Sequence, residues 1–185
     1  IASSIGGGMY IGGSSPIVTN CTIIGNLANY GGGIFSGNSS PTILNCIITG
    51  NTASVDGGGI YVGGMHVDSS SPTISNSVIT GNAAGNNGGG IAAGGSSPTI
   101  SNCIITGNTA SVDGGGIYCG SSSPGISNCT ITGNTAGNTG GAIFGGGSSP
   151  TIRNGILWAN IALGAYNEIA QISSTIACTY SNIDQ

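Results

Sequence analysis

The chain has no lysine and a single arginine, Arg153, against five acidic residues. A surface that binds nucleic acid must neutralise several phosphates at once, so the deficit of cations excludes that class of partner. Charge of either sign is scarce. Charged residues make up 3% of the sequence, where soluble domains carry roughly a quarter. Intrinsic disorder combines low hydrophobicity with high net charge, and neither describes a chain that is 38% hydrophobic with a net charge of −4. No apolar run reaches the roughly 18 residues that would cross a bilayer, so no membrane span is expected. No segment shows the 3.6-residue period of a helix. The first residue is Ile1, with neither an initiator methionine nor a signal-like segment. The chain is therefore expected to be a processed or excised piece.

What is abundant is order. All six prolines follow a serine, at Pro16, Pro41, Pro72, Pro98, Pro124 and Pro150, spaced 25, 31, 26, 26 and 26 residues apart. A fixed period of this size points to a solenoid. Within each unit, short runs rich in Ile and Thr are bounded by Gly, Asn and Ser-Pro, which reads as strands separated by turns. The expectation is an all-β fold: a right-handed, single-stranded parallel β-helix of about seven coils with three short strands per coil. Residues 1–185 form one domain that begins and ends in mid-coil.

Alignment on proline turns the sequence into columns. Two residues after it stand Val18, Ile43, Ile74, Ile100, Ile126 and Ile152; seven after it stand Ile23, Ile48, Ile79, Ile105, Ile131 and Leu157. A third aliphatic column, Met9, Ile34, Ile60, Ile91, Ile117, Ile143 and Ile169, follows the glycines. Three stacks of like side chains fill a narrow interior that no coil could bury alone. Two columns are asparagine throughout: Asn20, Asn45, Asn76, Asn102, Asn128 and Asn154, then Asn26, Asn51, Asn82, Asn108, Asn134 and Asn160. Both are expected to point inward at corners, bonding turn backbone and the asparagine of the next coil. Asn38, on a loop outside both columns, is expected to be dispensable. The triple glycines mark tight corners and not a phosphate loop, since no helix follows them.

At these residues a resemblance is plain. The repeats resemble those of the pectate-lyase-like superfamily of right-handed parallel β-helices. More closely, they resemble the Gly-Gly-Ala-Ile and Phe-x-x-Asn repeats of chlamydial polymorphic outer-membrane proteins. Gly140-Gly141-Ala142-Ile143 matches the first motif, and Ile48-Thr49-Gly50-Asn51 the second with Ile in place of Phe. The resemblance implies the fold. It says little of activity, because the superfamily includes lyases, glycosidases, adhesins and surface fibres.

Enzymes of that superfamily need clustered acids, usually beside a base. The acids here are Asp56, Asp68, Asp113, Glu168 and Asp184. Asp56 and Asp113 share a column with Asn87 between them, about 10 Å apart at two coils. That is near the upper end of the separation used by inverting glycosidases. No second acid or substrate-binding cation adjoins them, and Asx residues are common at turns before glycine, so no catalytic residue is expected. His66 and Asp68 lie on a five-residue insertion with no third metal ligand in view, and the repeats lack the aspartate that a calcium-binding nonapeptide needs. No metal or cofactor site is expected.

Cys21, Cys46, Cys103 and Cys129 form an inward column, completed by Ser77 and Gly155. Adjacent members are close enough in Cα separation to bridge. Parallel Cβ vectors and the usefulness of thiols as small core groups favour a reduced ladder.

The seventeen residues "NCIITGNTASVDGGGIY" occur twice, at 45–61 and 102–118; they encode a coil. The terminal half-units, joined end to start, make close to one complete unit. The favoured function is a non-enzymatic, extracellular or cell-surface structural solenoid that stacks head to tail into a filament. Its junction would use Ile1, Ile5, Met9, Ile176, Cys178 and Ile183. An adhesin-like surface binding module, touching a cell surface or polysaccharide, is the alternative, and a polysaccharide lyase or glycosidase comes third. Ice binding stands last, because only Thr130-Ile131-Thr132 has the Thr-x-Thr spacing and no regular threonine array is apparent.

Overall fold

The computed structural model describes residues 5–63, 70–172, 177–179 and 181–183. The described residues form 27 strands and no helix. The chain winds so that each coil contributes one strand to each wall. The first sheet runs from Met9–Gly12 to Ile169–Ile172, the second from Ile17–Thr19 to Ala177–Thr179 and the third from Thr22–Ile24 to Asn182–Ile183, with seven strands each. A fourth, from Leu27–Tyr30 to Ile161–Ala162, has six. Neighbours pair in parallel, residue for equivalent residue: Ile34 opposite Met9 and Ile60, Ile74 opposite Ile43 and Ile100. The expected parallel solenoid is the structure, and the repeat unit is one turn of it.

The three expected aliphatic columns line the interior. Ile34, Ile43, Ile48, Ile60, Ile74, Ile79, and their successors through Ile131, are fully buried. Three strands per coil, however, is one too few. The fourth wall is a short strand whose inward column is Ala28, Ala53, Ala84, Ala110 and Ala136, all buried. An alanine column lets this wall come close to the core, and it carries too weak an apolar signal to stand out as a strand.

Corners between walls fall at residues in the left-handed conformation. One is glycine in nearly every coil, Gly31, Gly57, Gly88, Gly114 and Gly140, with φ of 62–69°. A Cβ at Gly31 would meet the Ile34 carbonyl, so both conformation and space select glycine there.

Two expectations need correction. The first asparagine column does not point inward. Asn20, Asn45, Asn76, Asn102, Asn128 and Asn154 have φ of 49–55° and exposed side chains. Asparagine occupies the corner because it tolerates the left-handed region better than other non-glycine residues. The flip it makes lets both Val18, two residues before it, and Cys21, one after it, face the core. Asn38 does not stand on an unconstrained loop either. Its φ is 51°, and it occupies a corner that other coils fill with Gly13, Gly95, Ser121 and Gly147, also at positive φ.

Candidate functional site

The second asparagine column is a continuous polar ladder through the apolar interior. The backbone N–H and side-chain amide of Asn26 both donate to Asn51 Oδ1, at 3.0 Å each. Asn51 repeats this to Asn82, Asn82 to Asn108, Asn108 to Asn134 and Asn134 to Asn160, at 2.8–3.0 Å. The remaining amide hydrogen goes back to the preceding coil, as in Asn108 Nδ2 to Ile79 O at 3.0 Å. Asn51, Asn108 and Asn134 are completely buried, and a buried polar group must be paired in this way to be tolerated.

Glu168 terminates the ladder. It is buried, and its carboxylate accepts from the Asn160 backbone at 3.2 Å and from Asn160 Nδ2 at 2.7 Å. It thus supplies the acceptor that an asparagine supplies in every other described coil. Its column is otherwise Gly8, Gly33, Gly59, Gly90, Gly116 and Ala142. At Gly33 a Cβ would sit 3.0 Å from the Asn51 amide. A long acid among these small residues was the sequence signal for this cap.

The other described acids are occupied too. Asp56 Oδ1 accepts the Asn87 N–H at 2.9 Å. Asp113 Oδ1 accepts from Thr139 N at 3.1 Å, Thr139 Oγ1 at 2.7 Å and Asn138 Nδ2 at 3.0 Å. Between them Asn87 Oδ1 accepts the Asp113 N–H at 3.2 Å. The column is a capping ladder that ties each turn to the next coil. Burial pushes the Asp56 carboxyl up, opposed by the hydrogen bonds from Asn87. His66 and Asp68 lie outside the described residues, as do Ile1, Ile176 and Asp184. Among the described residues no three His, Cys, Asp or Glu side chains cluster as a metal site.

All six cysteines are free. Cys46, Cys103 and Cys129 are buried and Cys21 half-buried, pointing inward as their column requires. Each thiol donates to a carbonyl two residues back, for example Cys103 to Ser101 O at 3.2 Å. The hydrogen bond with Cys129 and burial push the Cys103 thiol up. Cys119 faces the core from the first sheet, and burial pushes it up to about 12. Of the residues named for a junction, Ile5 bridges to Tyr30, Met9 and Ile183 pack half-buried against the core, and Cys178 is exposed.

An aromatic row, which none of the aliphatic or asparagine columns contains, lines one wall. On the outer face of the first sheet Tyr10, Phe35 and Tyr61 stack at 5.6 and 5.3 Å, and Tyr118 and Phe144 at 5.2 Å. Ala92 fills the rung between the two groups. The signal was available one position after the third aliphatic column.

The wound parallel walls, with their stacked columns, define a β-helix. The family described as "Right handed beta helix region" matches residues 1–157 and 63–184, and the chain belongs to it. No curated protein matches the sequence.

Proposed function

We propose that this chain is a non-enzymatic structural β-solenoid, working outside the cell or at its surface and associating end to end with its own kind. The observation that carries the reading is the use made of the described acids. Asp56, Asp113 and Glu168 are each held by amide donors of a neighbouring turn or coil, which leaves no paired acid and base for hydrolysis or elimination among the described residues. End-to-end association is supported by the strands Met9–Gly12, Ile17–Thr19 and Thr22–Ile24, each with a neighbour on one side only among the described residues. Such edges template further strands, whether from a second copy or from more coils of a longer chain. With so few charges, little repulsion opposes stacking. The similarity to chlamydial outer-membrane repeats supports a surface setting.

Electron microscopy of the purified chain is the test. Uniform filaments that Ile183→Lys abolishes, with the fold retained, support the reading. Monodisperse rods at high concentration overturn it. The adhesin-like binding module then takes its place, a reading that the stacked row of Tyr10, Phe35 and Tyr61 favours. A screen against pectic, alginate and other acidic polysaccharides is expected to show no turnover. Turnover abolished by Asp113→Asn would establish an enzyme instead.

A further inference from the structure

The parallel register produces something that the spacing within single strands conceals. Thr49, Thr80, Thr106 and Thr132 are direct partners on four successive coils of the third sheet. Beside them on the same strands stand Ile47, Val78, Ile104 and Thr130, likewise in register. The expectation of no regular threonine array is therefore overturned. Along the strands only Thr130 and Thr132 stand two apart, whereas down the coils threonine repeats as a column. The result is a patch two columns wide and four coils long, made wholly of β-branched side chains. Its spacings are about 4.8 Å between coils and about 6.6 Å between columns.

Three of the hydroxyls share one orientation. Thr49, Thr80 and Thr106 Oγ1 lie 3.9, 4.0 and 3.9 Å from the Cβ position at the corner glycine of the following coil, Gly81, Gly107 and Gly133. Thr132 Oγ1 donates to Trp158 O at 2.7 Å; the other three hydroxyls make no hydrogen bond within the described residues. β-Branched side chains are stiff at χ1, so the rank is ordered before anything binds and loses little entropy on binding. Ile47 and Ile104 are each 46% exposed. The seven strands of this sheet contain no charged residue.

We propose that this outward face, centred on Thr80 and Thr106, is an ice-binding surface. Charge complementarity selects an uncharged occupant, since a charged peptide or polysaccharide would find no counter-charge here. The fixed two-dimensional repeat selects an occupant that is itself periodic. Ice meets both conditions. Water oxygens on its crystal faces repeat at distances close to the two spacings of the patch, so aligned hydroxyls can occupy lattice positions while the neighbouring methyl groups hold the water between them in order. The face is lateral to the coil axis and independent of any end-to-end contact, so it goes beyond the structural role proposed above.

The test is nanolitre osmometry and ice-recrystallisation inhibition on the purified chain, with crystal habit recorded. Wild type is expected to shape ice and hold a thermal hysteresis gap. Thr80→Tyr with Thr106→Tyr, both on the outer face, is expected to abolish the gap while circular dichroism stays unchanged. Thr99→Tyr, on the outer face of the second sheet, is expected to retain it. Absence of shaping and hysteresis in wild type overturns the proposal, as does equal loss in Thr99→Tyr. So does a wild-type dimer in sedimentation that the double variant dissociates, because the occupant is then a second copy. Binding to insoluble chitin or cellulose that the double variant loses, without effect on ice, overturns it as well.

Discussion

The carboxylate of Glu168 takes both donors that Asn160 offers along the coil axis, the backbone N–H at 3.2 Å and the side-chain amide at 2.7 Å. One residue thus closes a polar ladder that would otherwise end in unpaired groups inside an apolar tube.

Glu168→Ala is expected to destabilise the fold by on the order of 1–3 kcal/mol, the cost of orphaning buried donors. Glu168→Gln keeps one carbonyl acceptor and should cost less. Urea unfolding measures both. Equal midpoints for alanine and wild type would show that the carboxylate does not support the ladder.

The two asparagine columns should respond differently to the same substitution. Asn108→Ala removes the acceptor of two donors and one of the donors to Ile79 O, and should cost on the order of 1–3 kcal/mol. Asn102→Ala strains a left-handed corner and should cost roughly 1–2 kcal/mol, whereas Asn102→Gly should be tolerated. Asn86→Ala, at an exposed position, is the neutral control. If glycine were as harmful as alanine at position 102, the backbone account of that column would fail.

Ala159 has φ 55° at a corner where other coils place Gly25, Gly50, Gly81, Gly107 and Gly133. Ala159→Gly should stabilise by about 1 kcal/mol and Gly133→Ala should destabilise by about as much. Thermal melts of the pair, compared with wild type, check that the signs are opposite.

Alkali should loosen the fold through its buried thiols. Burial pushes Cys119 up to about 12 from its ordinary 9.0, so the folded state holds the protonated thiol more tightly than the unfolded state does. The resulting contribution to stability is whole below pH 9 and is lost as pH climbs towards 12. Melting temperature should fall across that window, and less steeply in Cys119→Ala. A fall of equal slope in that variant would place the effect elsewhere.

The coil was legible because its signals repeat. Proline set the period, and isoleucine at fixed offsets from it marked three walls. The fourth wall was hidden by alanine, which is apolar enough for a cramped interior yet too common to flag a strand of two residues such as Ala83–Ala84. Period-two alternation does not continue across the corner at Asn20 and its column, so it gives the wrong facing for these side chains. Val18 and Cys21 both face inward, three positions apart, and that parity break was the evidence for a left-handed residue between them. The role of Glu168 shows only in its contrast with the glycines of its own column, and as one isolated acid among five it carries no such signal. The threonine rank required reading down the coils, where neighbours in space are 26 or 31 positions apart in sequence.

The asparagine ladder also gives the rod an electrical direction. Backbone bonds between coils run both ways, as in Gly25 N to Thr49 O against Ile47 N to Cys21 O, so their dipoles largely cancel. The side-chain carbonyls all point towards the Asn26 end, and one amide hydrogen of each towards the Asn160 end. Aligned amides sum to a macrodipole, positive where donors lie free and best answered there by an anion. Glu168 sits at that pole. The opposite pole, at Asn26, favours a cation or a donor, so two such rods laid pole to matching pole would repel, and only one sense of approach is favourable.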